Sequence, residues 1–95
     1  MSEEHTVKHN ELSHAFEVTQ DGQLAVLEYY RQDDAIIFTH TGVPEELEGQ
    51  GVGSALTRTG LDYARAQNLR VVPQCPFVRG YLERHPEYQD LVRSS

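Results

Sequence analysis

Three glycines at alternate positions, Gly49, Gly51 and Gly53, stand just ahead of a stretch with helical periodicity. Glycine lets the backbone approach a ligand closely and take positive φ. The first N–H groups of a helix lack internal partners, and the helix dipole favours negative charge there. Gly49-Gln50-Gly51-Val52-Gly53-Ser54 therefore reads as an anion cradle, with a pyrophosphate as its natural guest. The alternative is a tight lead-in to the helix that binds nothing. A P-loop would end in Gly-Lys-Ser/Thr, whereas here Gly53 runs straight into Ser54. A dinucleotide fingerprint needs a third glycine where Ser54 stands, and 95 residues cannot supply its remaining strand–helix units.

Two reactive side chains lie on either side of that loop. His40 is a candidate general base, since histidine exchanges protons near neutral pH. The alternative is a strand histidine that hydrogen-bonds across a sheet. Cys75 is the single cysteine, so no intrachain disulfide forms. It precedes Pro76 at an expected helix start, where the dipole favours a thiolate, a nucleophile that could be acylated as a covalent intermediate. The other reading is an inert buried thiol. His5, His9, His14 and His85 have no metal-ligand spacing and read as surface or structural groups. No metal is expected. Glu45, Glu46 and Glu48 read as a solvated acidic rim.

The elements that must hold these residues can be read from periodicity. Thr6–His9 is a weak strand. Ala15–Thr19 alternates, with Phe16 and Val18 on one face. Asp21-Gly22 is a strong hairpin signal. Leu24–Tyr30 comes next, apolar on both faces near its start, as in a central strand. After Asp33-Asp34, Ala35–Thr41 is β-branched and aromatic. These four form an antiparallel meander. Val52 to about Gln67 reads as a helix, with Val52, Ala55, Leu56, Thr59 and Tyr63 on one side. Leu61 falls opposite, so it is either covered by a second layer or exposed. Asn68 is the expected C-terminal cap. Leu69–Val72 is a short buried strand ended by Pro73, and a right-handed crossover sets it parallel to the fourth. Pro76 opens another helix, with Phe77, Val78, Tyr81 and Leu82 as its stripe. Pro86 ends it by His85. One or two further turns run to Val92, anchored by Tyr88, Leu91 and Val92. The fold class is mixed α/β.

Bulk properties bound the function. The length implies one domain over residues 1–95, with an ordered core from about 5 to 92. Apolar residues are 38% of the chain, a level normal for a folded protein. No run approaches the roughly 20 apolar residues of a membrane span. Met1-Ser2-Glu3-Glu4-His5 lacks a signal-peptide core, so a cytoplasmic protein without a membrane partner is expected. The balance of 8 basic and 15 acidic residues gives a net charge of −7. That argues against a nucleic-acid partner.

With these residues in view, the sequence resembles a known family. Glu48-x-x-Gly51-x-Gly53 is similar to the (Gln/Arg)-x-x-Gly-x-(Gly/Ala) motif of the GNAT superfamily of N-acetyltransferases. Glu28-Tyr29, His40-Thr41-x-Val43-Pro44, Pro73-x-Cys75 and Tyr81-x-x-x-His85-Pro86 are similar, in order and spacing, to its small single-domain YjdJ-type members. The resemblance spans roughly residues 5 to 92 and implies acetyl-CoA as cosubstrate. It implies that the strand before the loop splays from the strand after the helix. The pantetheine arm would pair with backbone at Thr41, Gly42 and Val43. The pyrophosphate would lie on the N–H groups of Gln50, Gly51, Val52, Gly53 and Ser54 beside Gly49. The thioester would point toward Cys75, and by analogy Tyr81 would protonate the leaving thiolate. The acceptor would be an amine, such as a lysine or a polyamine. A non-catalytic module that holds CoA or an acyl-CoA is the alternative.

Two features depart from that pattern. Glu48 replaces Gln or Arg, and a carboxylate there weakens anion binding unless it turns to solvent. Gln50 and Arg58 are the candidates to compensate. The N-terminal helices that form the acceptor site in larger members are also missing.

Overall fold

A computed structural model describes residues 5–92 of the chain. Residues 1–4, part of the acidic N-terminal stretch, lie outside the described residues. Five strands form one sheet in the order β1-β2-β3-β4-β5. They are β1 (Lys8–Asn10), β2 (Ala15–Gln20), β3 (Gln23–Gln32), β4 (Ala35–Gly42) and β5 (Arg70–Pro73). The first four are antiparallel neighbours, and β5 runs parallel to β4. The crossover helix is α1 (Val52–Ala66), and α2 (Pro76–Arg84) and α3 (Gln89–Val92) come after β5. This is the expected mixed α/β meander with a parallel last strand.

Local chemistry sets the turns. Asp21 and Gly22 both take positive φ, 54° and 74°, which gives the two-residue turn whose twist matches a hairpin. Asp33, at φ 56°, does the same work between β3 and β4. At the end of α1, Asn68 adopts φ 58°. There Asn68 N–H donates to Arg65 O at 3.2 Å and Leu69 N–H to Ala64 O at 2.8 Å. Those paired bonds are the Schellman closure that the asparagine was expected to supply.

The core lies between one face of the sheet and one layer of helices. Phe16, Val18, Leu27, Ile36, Phe38 and Val71 meet Val52, Leu56 and Leu61 there. Leu61 is fully buried because α2 and α3 pack against the flank of α1 and, with the 3₁₀ turn Pro86–Tyr88 between them, bring Val78, Tyr88 and Leu91 into the same cluster. Tyr88 Oη donates to Asp62 Oδ1 at 2.7 Å, and Arg65 grips Asp90 at 2.9 and 3.1 Å. Helix α1 approaches the sheet closely at Gly60, where a Cβ would stand 3.0 Å from the Phe38 ring and 3.1 Å from Leu27 Cδ2.

Three expectations shift. Leu24 is 51% exposed and Tyr30 46%, so β3 is central in the sheet but covered on one face only. All three helices occupy the other face. Strand β1 begins at Lys8 rather than Thr6. What fixes it is His9, whose ring stacks on Phe16 with centroids 4.2 Å apart and meets the edge of Tyr63 at 4.6 Å. Pro73 is the last residue of β5 instead of its stop. An edge strand tolerates proline because its missing N–H would have faced outward. Among the described residues, no helix is long and apolar enough to cross a membrane.

Candidate active site

Strand β4 carries an extra residue at Thr39, since Glu28 pairs with His40 while Tyr29 pairs with Phe38. Such a bulge bends its strand and re-aims the residues beyond it. The ladder between β4 and β5 ends at Phe38 and Pro73. Beyond that rung the N–H groups of Gln74 and Cys75 both meet Phe38 O at 3.0 Å, and the chain turns off into α2. The two strands therefore part, with His40 to Val43 on one side and Gln74-Cys75 on the other. Thr41 Oγ1 lies 3.1 Å from Cys75 Sγ at the point of separation.

The glycine loop forms the adjoining wall. A 3₁₀ turn over Glu45–Leu47 is anchored by fully buried Leu47 and closed by Leu47 N–H donating to Pro44 O at 2.8 Å. Gly49 and Gly51 then adopt φ 82° and 80°. A Cβ would meet nothing at either, so backbone conformation is what requires glycine. Gly53 is different. A Cβ there would lie 2.7 Å from Phe77 Cζ, so its absence lets the Phe77 ring rest on the start of α1. Ala55 N–H makes the first helical bond, to Gly51 O at 3.0 Å. Among the described residues, the N–H groups of Val52, Gly53 and Ser54 find no acceptor in a loop or side chain. They remain open donors at the helix end, where an anion could be held.

Splay and loop together bound a cleft of ≈ 540 Å³. Of the residues expected to bind cofactor, Thr41, Val43, Gly49, Gly51, Val52, Gly53 and Ser54 line it. Gly42 and Gln50 do not. Gly42 sits in the ladder opposite Val26, with the His40 ring against it. The Gln50 side chain is drawn away from the cleft. Its Oε1 accepts from Gln20 Nε2 at 2.7 Å and its Nε2 donates to Glu46 O at 3.2 Å, so the side chain is engaged away from Glu48.

The expected catalytic residues are distributed around the cleft rather than in it. Thr41 pairs with core-facing Leu27, whereas His40 pairs with Glu28. Alternation therefore puts exposed His40 on the open face of the sheet, beside the splay. Cys75 is 3% exposed and caps the start of α2, with its sulfur on the Thr41 hydroxyl. Tyr81 is also 3% exposed, and its ring stacks on His85 with centroids 4.0 Å apart. Burial pushes the Tyr81 phenol up, against an opposing pull from nearby Arg58, so it holds its proton.

Four contributors escape a reading of the sequence. Leu47, Phe77 and Arg84 line the cleft, and His5 braces the loop behind it. Phe77 and Arg84 are seven apart on α2, two turns along one side of a helix, which is a legible spacing. The apolar stripe of α2 assigns Phe77 to the core, yet it is 40% exposed. Neither Arg84 nor Arg58 has an ion pair among the described residues. Arg84 thus brings an unneutralised cation to the cleft that Glu48 also lines. Open N–H donors, a glycine-permitted approach and a free guanidinium together suit the pyrophosphate of a CoA thioester.

Comparison with known proteins agrees with this architecture. The profile of the GCN5-related N-acetyltransferases matches residues 15–91. Protein NATD1 of Xenopus tropicalis is 28% identical over 90 residues, covering 92% of this chain and 83% of the relative. Protein NATD1 of Homo sapiens is 29% identical over 90 residues, covering 92% and 80%. The solution structure of a GCN5-like putative N-acetyltransferase from Staphylococcus aureus superposes with a TM-score of 0.72 at 36% identity, covering 96% of this chain and 89% of that one. With a family profile matched over most of its length and a solved relative of the same architecture, the chain belongs to the GCN5-related N-acetyltransferase family.

Proposed function

We propose that the chain is an acetyl-CoA-dependent N-acetyltransferase that acetylates an amine arriving on the open face of its sheet. The observation that carries this reading is the parting of β4 and β5 beside an open row of helix N–H donors. Acetyl-CoA supplies an acetyl group activated as a thioester. The backbone of Thr41 and Val43 pairs with its pantetheine arm. The N–H groups from Gly51 to Ser54 hold its pyrophosphate, and Arg84 adds the positive charge that position 48 lacks.

An amine on the open face meets His40 beside the splay. His40 accepts the proton that the nitrogen must shed before it attacks. A nitrogen–carbon bond forms, the carbon–sulfur bond breaks, and the released thiolate takes a proton. Tyr81 is stacked on His85 in the core, whereas Cys75 touches the Thr41 hydroxyl at the mouth of the splay, so Cys75 is the side chain proposed to act on the leaving sulfur. The acidic balance of the chain, −7, favours a cationic acceptor such as a lysine or polyamine.

Incubating the chain with acetyl-CoA and a set of primary amines tests the activity. Free CoA thiol should appear with at least one amine and fall about a hundredfold with His40→Ala. Burial of Cys75 and Tyr81 favours a second reading, a module that holds a CoA thioester without turning it over. CoA binding that persists while no amine is acetylated supports that reading instead.

A further inference from the structure

A chain of hydrogen bonds fastens the N-terminal segment to the back of the glycine loop. His5 Nε2 lies 2.7 Å from Gln50 O, and His5 Nδ1 lies 2.9 Å from Gln20 Oε1. Gln20 Nε2 donates to Gln50 Oε1 at 2.7 Å, and Gln50 Nε2 donates to Glu46 O at 3.2 Å. Both ends of this chain are backbone carbonyls, which can only accept. The Glu46 carbonyl fixes the orientation of the Gln50 amide. That amide fixes Gln20, whose oxygen must then face His5. His5 is left between two acceptor oxygens, and only an imidazolium donates from both ring nitrogens.

From this arrangement of donors and acceptors we infer that protonated His5 is a positioning residue for the anion cradle. In a trans peptide the carbonyl and the following N–H point in opposite directions. Holding the Gln50 carbonyl on His5 turns the Gly51 N–H the other way, and Gly51 lines the cleft. Deprotonation of His5 removes one donor and leaves a nitrogen lone pair against an oxygen. The Gln50–Gly51 peptide is then free to rotate, which two glycines at positive φ permit readily. The groups packed on His5 from β2 and the loop, Gln20 and Gln50, do not titrate. The loop carboxylates Glu45, Glu46 and Glu48 flank the loop, and no carboxylate pairs with His5 among the described residues. The inference rests on the glycine loop being the phosphate site, and it assigns that site a dependence on proton concentration.

The test uses the intact chain and dephospho-CoA, which keeps the pyrophosphate but has no phosphomonoester that titrates near neutrality. Long-range ¹H–¹⁵N spectra of the imidazoles should show both His5 nitrogens protonated on the acid side. The Gly51 amide shift should track the His5 titration, and should lose that response in His5→Ala and Gln20→Ala. Dephospho-CoA affinity should fall at least about fivefold more in the parent than in His5→Ala as pH rises from about 5.5 to about 8. A singly protonated His5 ring while the contact persists overturns the inference, as do parallel affinity profiles for parent and variant. If dephospho-CoA fails to bind at any pH, the functional reading of the loop fails. The clamp itself then stands or falls on the imidazole spectrum and the Gly51 response.

Discussion

Glu48 and Arg84 carry opposite charges into one cleft from different elements, the loop and the end of α2. The motif position that elsewhere holds Gln or Arg is acidic here, and Arg84 restores a cation from 36 residues further along the chain. Arg84→Ala is expected to weaken CoA binding by about 1–2 kcal/mol, roughly five- to thirtyfold in Kd. Glu48→Gln should tighten it by a few-fold. Titration calorimetry measures both, and added salt should shrink the two effects because these side chains are exposed. Equal affinity in all three proteins would remove Arg84 and Glu48 from the site. Gly49 and Gly51 are legible in the sequence because their type is what permits the positive φ of the loop. Arg84 is not, because a lone arginine near the end of a helix has no signature until the fold shows what it faces. His5 is illegible for a related reason. Its partners, Gln20 and Gln50, lie 15 and 45 residues away.

At the scale of elements, α1 serves two ends. Its N-terminus faces the cleft, and its middle touches the sheet through Gly60. Gly60→Ala would press a methyl group between Phe38 and Leu27, both fully buried and unable to swing aside. Urea unfolding should register a loss of about 1–3 kcal/mol. The short strand β1 depends on His9, whose Nε2 shares a hydrogen bond with Tyr29 Oη at 2.5 Å. Burial lowers His9 below its ordinary value, with Glu11 pulling weakly the other way. The unfolded chain therefore takes up this proton first as pH falls. The stability His9 contributes is full above about pH 6.5 and is lost on acidification. Comparing urea midpoints of the parent and His9→Phe at about pH 7 and about pH 5 isolates that loss, which the variant should lack. Hairpin turns, the Asn68 closure and the parallel last strand are legible because each depends on a few consecutive residues or on chain handedness. Which faces are covered is not. Leu24 and Val26 look like a core strand, and the chain simply provides no described element over that side of the sheet.

In the assembled fold, one helix layer covers one sheet face and no described element covers the other, where His40 lies. The helix layer is closed by Tyr88, whose phenol is pushed up to about 12 by burial and by its bond to Asp62. Its protonated form is the one the fold favours. That contribution is intact below about pH 10 and disappears as pH rises toward 12. Thermal melts in this alkaline window should fall more steeply for the parent than for Tyr88→Phe. The proposed activity requires the glycine loop and the splay to form one site for a CoA thioester. The direct measurement is the melting temperature of the chain with and without CoA. Binding at that site predicts a rise that grows with CoA concentration, equivalent to about 2.7 kcal/mol at a hundred times Kd, and a smaller rise in Arg84→Ala at the same concentration. A melting temperature unchanged at millimolar CoA would contradict it.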